Sequence, residues 1–189
     1  MGLFAAVAAF VVAVDLWSKH FVFEQLNVVS EGHPPSVRDQ VRITVVPGFF
    51  ELEANYNYGA FSGWFSSHPE WLAALSGLAL VVIIGVAVVH LHRSSSPSTA
   101  FLVALALLWG GTLGNLHDRL LLGAVRDWVK WFVVIGGEPR VWPNFNIADS
   151  AICVGVGLIL LLEVQGSLRE RRAARSAEGA AEAIRSSRR

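Results

Sequence analysis

Charge is scarce in this chain. Asp, Glu, Lys and Arg make up 16% of its 189 residues and cancel to a formal net charge of zero, whereas soluble domains carry about 25% charged residues. A neutral chain has no overall electrostatic footprint for nucleic acid, so no nucleic-acid partner is expected. Cysteine is nearly missing as well. Cys153 stands alone, which excludes an internal disulfide, and its place in an apolar run reads as a small buried filler. The six histidines are scattered and form no cluster with metal-ligand spacing, so neither a metal nor any other cofactor is expected. There is no internal repeat and no pair of broken helices of the kind that marks inverted-repeat transporters.

Apolar residues dominate instead, at 53% of the chain and a mean hydropathy of +0.50. They gather in four blocks: 2-GLFAAVAAFVVAVDLWSKHFVF-23, 71-WLAALSGLALVVIIGVAVVHL-91, 99-TAFLVALALLWGGTLGNL-116 and 147-IADSAICVGVGLILLLEV-164. A helix crossing a hydrocarbon core of ~30 Å needs ~20 mostly apolar residues. The blocks therefore predict a membrane all-α bundle of four transmembrane helices, spanning about 2–23, 71–91, 99–118 and 147–164. The first block has an apolar core, Gly2 to Val14, of signal-peptide length. It lacks the basic n-region of such a peptide and carries Asp15 and Lys19 in the same stretch, which favours a span.

Orientation follows from basic flanks. The tail 166–189 holds seven arginines, and the short link 92-HRSSSPS-98 holds Arg93. The link from Glu24 to Glu70 holds only Arg38 and Arg42 among six carboxylates. Tail and short link are expected in the cytoplasm, with both termini, and the other links outside. Arg119, Arg126, Lys130 and Arg140 near the third-to-fourth link weaken that signal. In the long link, 41-VRITVV-46, the turn Pro47-Gly48 and the alternating 49-FFELEANYN-57 predict a β-hairpin. Phe50, Leu52 and Ala54 fall on one face and Glu51, Glu53 and Asn55 on the other. The aromatic stretches 61-FSGWFSSHPEW-71 and 128-WVKWFVVI-135 read as segments at the membrane interface.

Ionisable groups within spans cost ~3 kcal/mol each on insertion scales, so they usually have a function. Asp15 and Lys19 lie four apart on one helix face, either as a self-neutralising pair with Lys19 snorkelling or as the brace of a site. In 110-GGTLGNLHDRL-120, Gly110 and Gly114 permit close helix approach. Asn115, Asp118 and Arg119 follow, with Arg119 placed to pair with Asp118 or to hold a carbonyl. Asp127 alone would be an ordinary loop aspartate. Asn146 and Asp149 open the fourth span, where they suit a helix cap. Capping alone leaves unexplained why Asp15, Asn57, Asn115, Asp127 and Asp149 all fall toward one membrane face.

These pieces, in order, are 15-DLWSK-19, 57-NYG-59, 110-GGTLGNLHDR-119, 125-VRDW-128 and 145-FNIAD-149. Over residues 1–165 the chain resembles the lipoprotein signal peptidase (signal peptidase II) family. The resemblance implies a four-span aspartic peptidase of the bacterial inner membrane, acting as a monomer, with a small extracytoplasmic β-cradle, here over about 38–62. Its implied substrates are diacylglyceryl-modified prolipoproteins arriving through the membrane lipid, cut just before the lipidated cysteine. The catalytic pair would fall on Asp127 and Asp149. Asp15, Lys19, Asn57, Gly59, Asn115, Asp118, Arg119 and Asn146 would bind substrate or support the pair. Three departures stand out: 57-NYGAF-61 is one residue shorter than the family's pattern, Trp128 is larger than the usual residue after the first aspartate, and the link 136–144 is longer. Two other classes fit a set of carboxylates in a membrane: a channel or transporter, and a non-catalytic binder of lipidated chains. The second span is purely apolar at its middle, against an ion path, and both aspartates are present, against the loss expected of a binder.

Overall fold

The computed structural model describes residues 1–26, 42–59, 69–94 and 96–187. Among them, helices α1 (Gly2–Gln25), α2 (Pro69–Arg93), α3 (Thr99–Leu122) and α4 (Ile147–Ser187) are all long and apolar enough to cross a membrane. Their positions follow the four apolar blocks. The central member is α3, which packs on α1, α2 and α4. Its buried stripe is rich in small residues, among them Ala104, Ala106, Gly110, Gly111 and Gly114. In lipid there is no hydrophobic force between apolar helices, so close van der Waals approach has to hold them together. A Cβ at Gly110 would lie 2.8 Å from the Ala8 carbonyl oxygen of α1, and one at Gly111 would collide with the Ala148 carbonyl of α4. The α4 residue Gly155 meets the Ala104 carbonyl in the same way, at 2.9 Å.

At one end of the bundle, α3 stops at Gly123, whose left-handed φ of 69° lets its N–H bond back to the Arg119 carbonyl at 3.1 Å. This cap turns the chain directly into β3 (Val125–Ile135). The strand joins an antiparallel sheet of order β1-β2-β3-β4, with β1 over Arg42–Val46, β2 over Phe50–Asn57 and β4 over Glu138–Val141. Gly136 and Gly137, both at positive φ, form the two-residue turn between Ile135 and Glu138, as a tight hairpin requires. The predicted hairpin over 41–57 is therefore half of a larger sheet. The stretch 128–135, expected as an interfacial segment, is its third strand, and the sheet is not confined to 38–62.

The alternation expected along β2 also breaks. Leu52 pairs with Val129 and Asn55 with Asp127, so β2 carries one extra residue, and Glu53 and Ala54 are both buried. Helix α4 outruns the predicted span, with 41 residues or about 60 Å at 1.5 Å per residue. The Ala-, Glu- and Arg-rich sequence after Val164 keeps it helical though it is no longer apolar. Cys153 is exposed on the outside of the bundle rather than buried. The turn-rich 30–36, the aromatic stretch 61–68 and the position of Phe61 lie outside the described residues.

Candidate active site

The polar residues singled out in the sequence converge where the C-terminal ends of α1 and α3 and the N-terminal end of α4 meet β2 and β3. Asn146 is the hub. Its side-chain carbonyl accepts the Asp149 N–H at 2.9 Å, and Asp149 Oδ2 accepts the Asn146 N–H at 3.1 Å. This reciprocal pair starts α4 in the manner of a capping box. The Asn146 amide also donates to Asp127 Oδ1 at 2.8 Å and to Asn115 Oδ1 at 3.1 Å. Asn115 in turn donates to Asp149 Oδ1 at 2.7 Å, and Asn57 donates to Asp127 Oδ2 at 3.0 Å. Each aspartate is thus held by two neutral donors, and one asparagine touches both. The helix-cap role and the site role of Asp149 coexist in one geometry.

Asp127 lies in the sheet and is 1% exposed. Burial first, and the charge of Asp149 second, push its carboxyl up to about 7, against the pull of the Asn57 and Asn146 hydrogen bonds and of Lys19. Two carboxylates sharing a poorly solvated site do not both ionise readily. Asp149 lines a cavity of about 380 Å³ together with Asn57, Ser76, Thr112, Asn115 and Arg119. A larger cavity of about 660 Å³ lies at the other end of α2, around His90, Arg93 and Phe101, and contains none of these carboxylates.

Asp15 and Lys19 are fully buried, so Lys19 does not snorkel: the pair lies behind Asn115 rather than on the cavity wall. Lys19 Nζ sits 2.7 Å from Asp15, 3.4 Å from Asp118 and 3.0 Å from Asn115 Oδ1. Asp15 Oδ1 accepts the Ala148 N–H at 2.9 Å, placing a carboxylate from α1 against the positive end of α4. Of the two roles open to Arg119, the structure has the carbonyl: its guanidinium reaches Gly59 O at 3.4 Å. The Gly59 N–H bonds Asn57 Oδ1 at 3.0 Å, a local turn that orients the Asn57 amide. Asp118 is taken instead by Arg126, through its Nη2 at 2.7 Å, its Nε at 3.2 Å and its backbone N–H at 3.0 Å. Arg126 was not singled out in the sequence, although it stands beside Asp127 within 125-VRDW-128. Glu53 was missed too, because the β2 alternation assigned it to a solvated face.

A four-span membrane protein with a polar, carboxylate-bearing cavity beneath a small open sheet is the class that the fold and site define. The chain belongs to the signal peptidase II family: the family model described as signal peptidase (SPase) II matches residues 7–165. It is 36% identical over 152 residues to the lipoprotein signal peptidase of Pseudomonas syringae pv. tomato, covering 80% of this chain and 79% of that one. It is 37% identical over 142 residues to the lipoprotein signal peptidase of Pseudomonas aeruginosa strain UCBPP-PA14, covering 75% and 80%. A bacterial membrane enzyme solved by the in meso method at 1.9 Å shares the fold with a TM-score of 0.64 at 27% identity, over 86% of this chain and 92% of that one. A second such enzyme, at 2.3 Å, has a TM-score of 0.68 at 24% identity, over 88% and 90%. Membership makes this chain a protease of the bacterial membrane.

Proposed function

We propose that the chain removes the signal peptide from diacylglyceryl-modified prolipoproteins by aspartic proteolysis, cutting just before the lipidated cysteine, with Asp127 and Asp149 as the catalytic pair. The observation that carries this is that Asn146 holds two buried or half-buried carboxylates beside a cavity, Asp127 through its side-chain amide and Asp149 through its backbone N–H. The lipoprotein substrate class follows from the names of the relatives. The pair holds one proton between its members. The ionised carboxylate takes a proton from water as the water oxygen attacks the scissile carbonyl. The protonated one hydrogen-bonds the carbonyl oxygen and then supplies a proton to the leaving amine. Products are a signal peptide ending in a carboxylate and a chain beginning with the free amine of the lipidated cysteine.

Asn57, Asn115 and Asn146 orient the carboxylates without adding charge. Asp15, Lys19 and Asp118 brace the helices, and Arg119 with Gly59 frames the cavity's sheet-side rim. The site lies at the extracytoplasmic side, because the short link with Arg93 and the arginine-rich end of α4 mark the opposite, cytoplasmic side, which holds both termini. The enzyme works as a monomer. Its exposed apolar helix faces, including Leu75, Leu78, Val81 and Val82 of α2, let a substrate with a spanning helix and acyl chains approach through lipid.

The test is a cleavage reaction in liposomes on a prolipoprotein with and without the diacylglyceryl group, with the product mapped by mass spectrometry. The proposal expects one cut, before the lipidated cysteine, and little or none on the unmodified chain. Equal cutting of both, or a cut elsewhere, would reject the substrate assignment.

A further inference from the structure

Glu53 is a buried carboxylate that the proposed chemistry does not use. It is 3% exposed, and both its charge and its hydrogen bonds are met locally. Its Oε2 lies 3.1 Å from Lys130 Nζ and accepts the Asn144 side-chain N–H at 3.2 Å. Lys130 also reaches Glu51 at 3.4 Å, and Glu51 reaches Arg42 at 3.7 Å. Burying such a group is costly unless it is paired, so its position calls for a reason.

The strand register supplies one. Ahead of the extra residue, Glu51 stands opposite Lys130 and Leu52 opposite Val129; beyond it, Asn55 stands opposite Asp127 and Asn57 opposite Val125. Two residues of β2, Glu53 and Ala54, therefore occupy the place facing Trp128, which is a β-bulge. Side chains alternate along a strand, and a one-residue slip moves all of them to the other face. Lys130 and Asp127 are three apart on β3 and point to opposite faces. Without the bulge, Asn57 would share the face of Glu51 and Lys130. With it, Asn57 turns to the Asp127 face and donates to Asp127 at 3.0 Å. Ala54 goes into the cluster of Val22, Phe23 and Leu26 below α1, while Glu53 stays with Lys130. The same carboxylate fastens Asn144, two residues ahead of Asn146, and the intervening Phe145 is bonded to Val129 by N–H to carbonyl contacts of 3.2 and 2.9 Å.

We propose that Glu53 is a positioning residue for the cleavage reaction: held by Lys130 and Asn144, it fixes the β2 bulge and the approach to α4, and so sets Asn57 and Asn146 on the two sides of Asp127. This deepens the proposed aspartic mechanism and rests on it.

The experiment measures kcat, KM and the pH–rate profile on a lipidated prolipoprotein for the wild type, Glu53→Gln, Glu53→Ala, Asn57→Ala and the Glu53→Ala/Asn57→Ala double variant, with Asp127→Asn as control. Glutamine keeps an oxygen acceptor for both Lys130 and Asn144, so Glu53→Gln should stay within about 3-fold of the wild-type kcat. Glu53→Ala should lower kcat by about 10- to 100-fold with little change in KM, as small misplacements of catalytic groups do. It should also move the pH profile the same way as Asn57→Ala, upward, because Asp127 loses a hydrogen bond that favours its ionised form. The double variant should lose clearly less than the product of the two single losses, since the Asn57–Asp127 contact is common to both while the Asn144 arm of Glu53 is not. If Glu53→Ala does not fold, Asn144→Ala replaces it, with the same expected direction. A folded Glu53→Ala with unchanged kcat and profile, or a double variant whose losses multiply, overturns the inference. An active Asp127→Asn would instead overturn the underlying mechanism.

Discussion

Gly114 sits where α1, α3 and α4 meet, and replacing it with alanine tests that junction. A Cβ there would lie 2.5 Å from Asp15 Oδ2, 3.2 Å from Asp15 Cγ and 3.5 Å from the Ala148 Cβ. An ordinary contact begins near 3.4 Å, so the Asp15 carboxylate has to withdraw by about 1 Å. It has no slack, since one oxygen is held by Lys19 at 2.7 Å and the other by the Ala148 N–H at 2.9 Å. Losing a hydrogen bond to a charged buried group costs ~1.5–3 kcal/mol, and overpacking adds ~1–3 kcal/mol. Alanine's better helix propensity returns ~1 kcal/mol. The net expectation is a destabilisation of ~1.5–5 kcal/mol, together with lost activity as the start of α4 moves. Gly157→Ala is the control, because a Cβ there meets open space. Unfolding would be followed by circular dichroism on titrating a strong detergent into protein in a mild one, with cleavage measured in parallel. If Gly114→Ala matches Gly157→Ala in stability and cleaves at the wild-type rate, the packing of Asp15 against α3 is wrong.

Three other outcomes follow from the same network. Lys19→Met leaves the buried Asp15 and Asp118 without their shared cation and should cost ~3–5 kcal/mol in the same unfolding assay; a loss below ~1 kcal/mol would count against a buried brace. Asn146→Ala should lose about 1 kcal/mol of cap stability plus ~1.5–3 kcal/mol for the hydrogen bond to buried Asp127, and ~100-fold in cleavage rate, as Asp127 loses the Asn146 amide and the Asp149 N–H loses its acceptor. Asp127 ionises near 3.8 when unfolded and near 7 when folded, so between those values the unfolded chain binds fewer protons and stability should fall as pH rises. That slope should flatten in Asp127→Asn, and an unchanged slope would show that Asp127 is not its source.

The membrane part of the fold was legible because ~20-residue apolar blocks have few alternative uses. The sheet was only half legible. In β3, Val125, Asp127 and Val129 point inward while Arg126, Trp128 and Lys130 are also partly covered, so no apolar–polar alternation marks the strand. In β2 the alternation is real, but the bulge resets its phase at Glu53 and Ala54, and a pattern read through it assigns Glu53 and Asn55 to one face. The local cap of Asn146 and Asp149 could be read from their spacing of three residues. That Asn115, 31 positions earlier, donates its amide to Asp149 and accepts from Asn146 and Lys19 is a product of helix packing. The spacing of 110-GGTLGN-115 indicates close approach there, but not the partners. The proposed pairing of Asp127 with Asp149 came from resemblance to a family rather than from periodicity, and their joint contact with Asn146 supports it.

The most direct test of the account is cleavage of a diacylglyceryl-modified prolipoprotein by Asp127→Asn and Asp149→Asn, each shown by circular dichroism to be folded. Asparagine keeps the size of each side chain and removes its capacity to exchange a proton, so both variants are expected to fall below detectable turnover while wild type cleaves. Full activity in either folded variant would contradict the two-carboxylate mechanism.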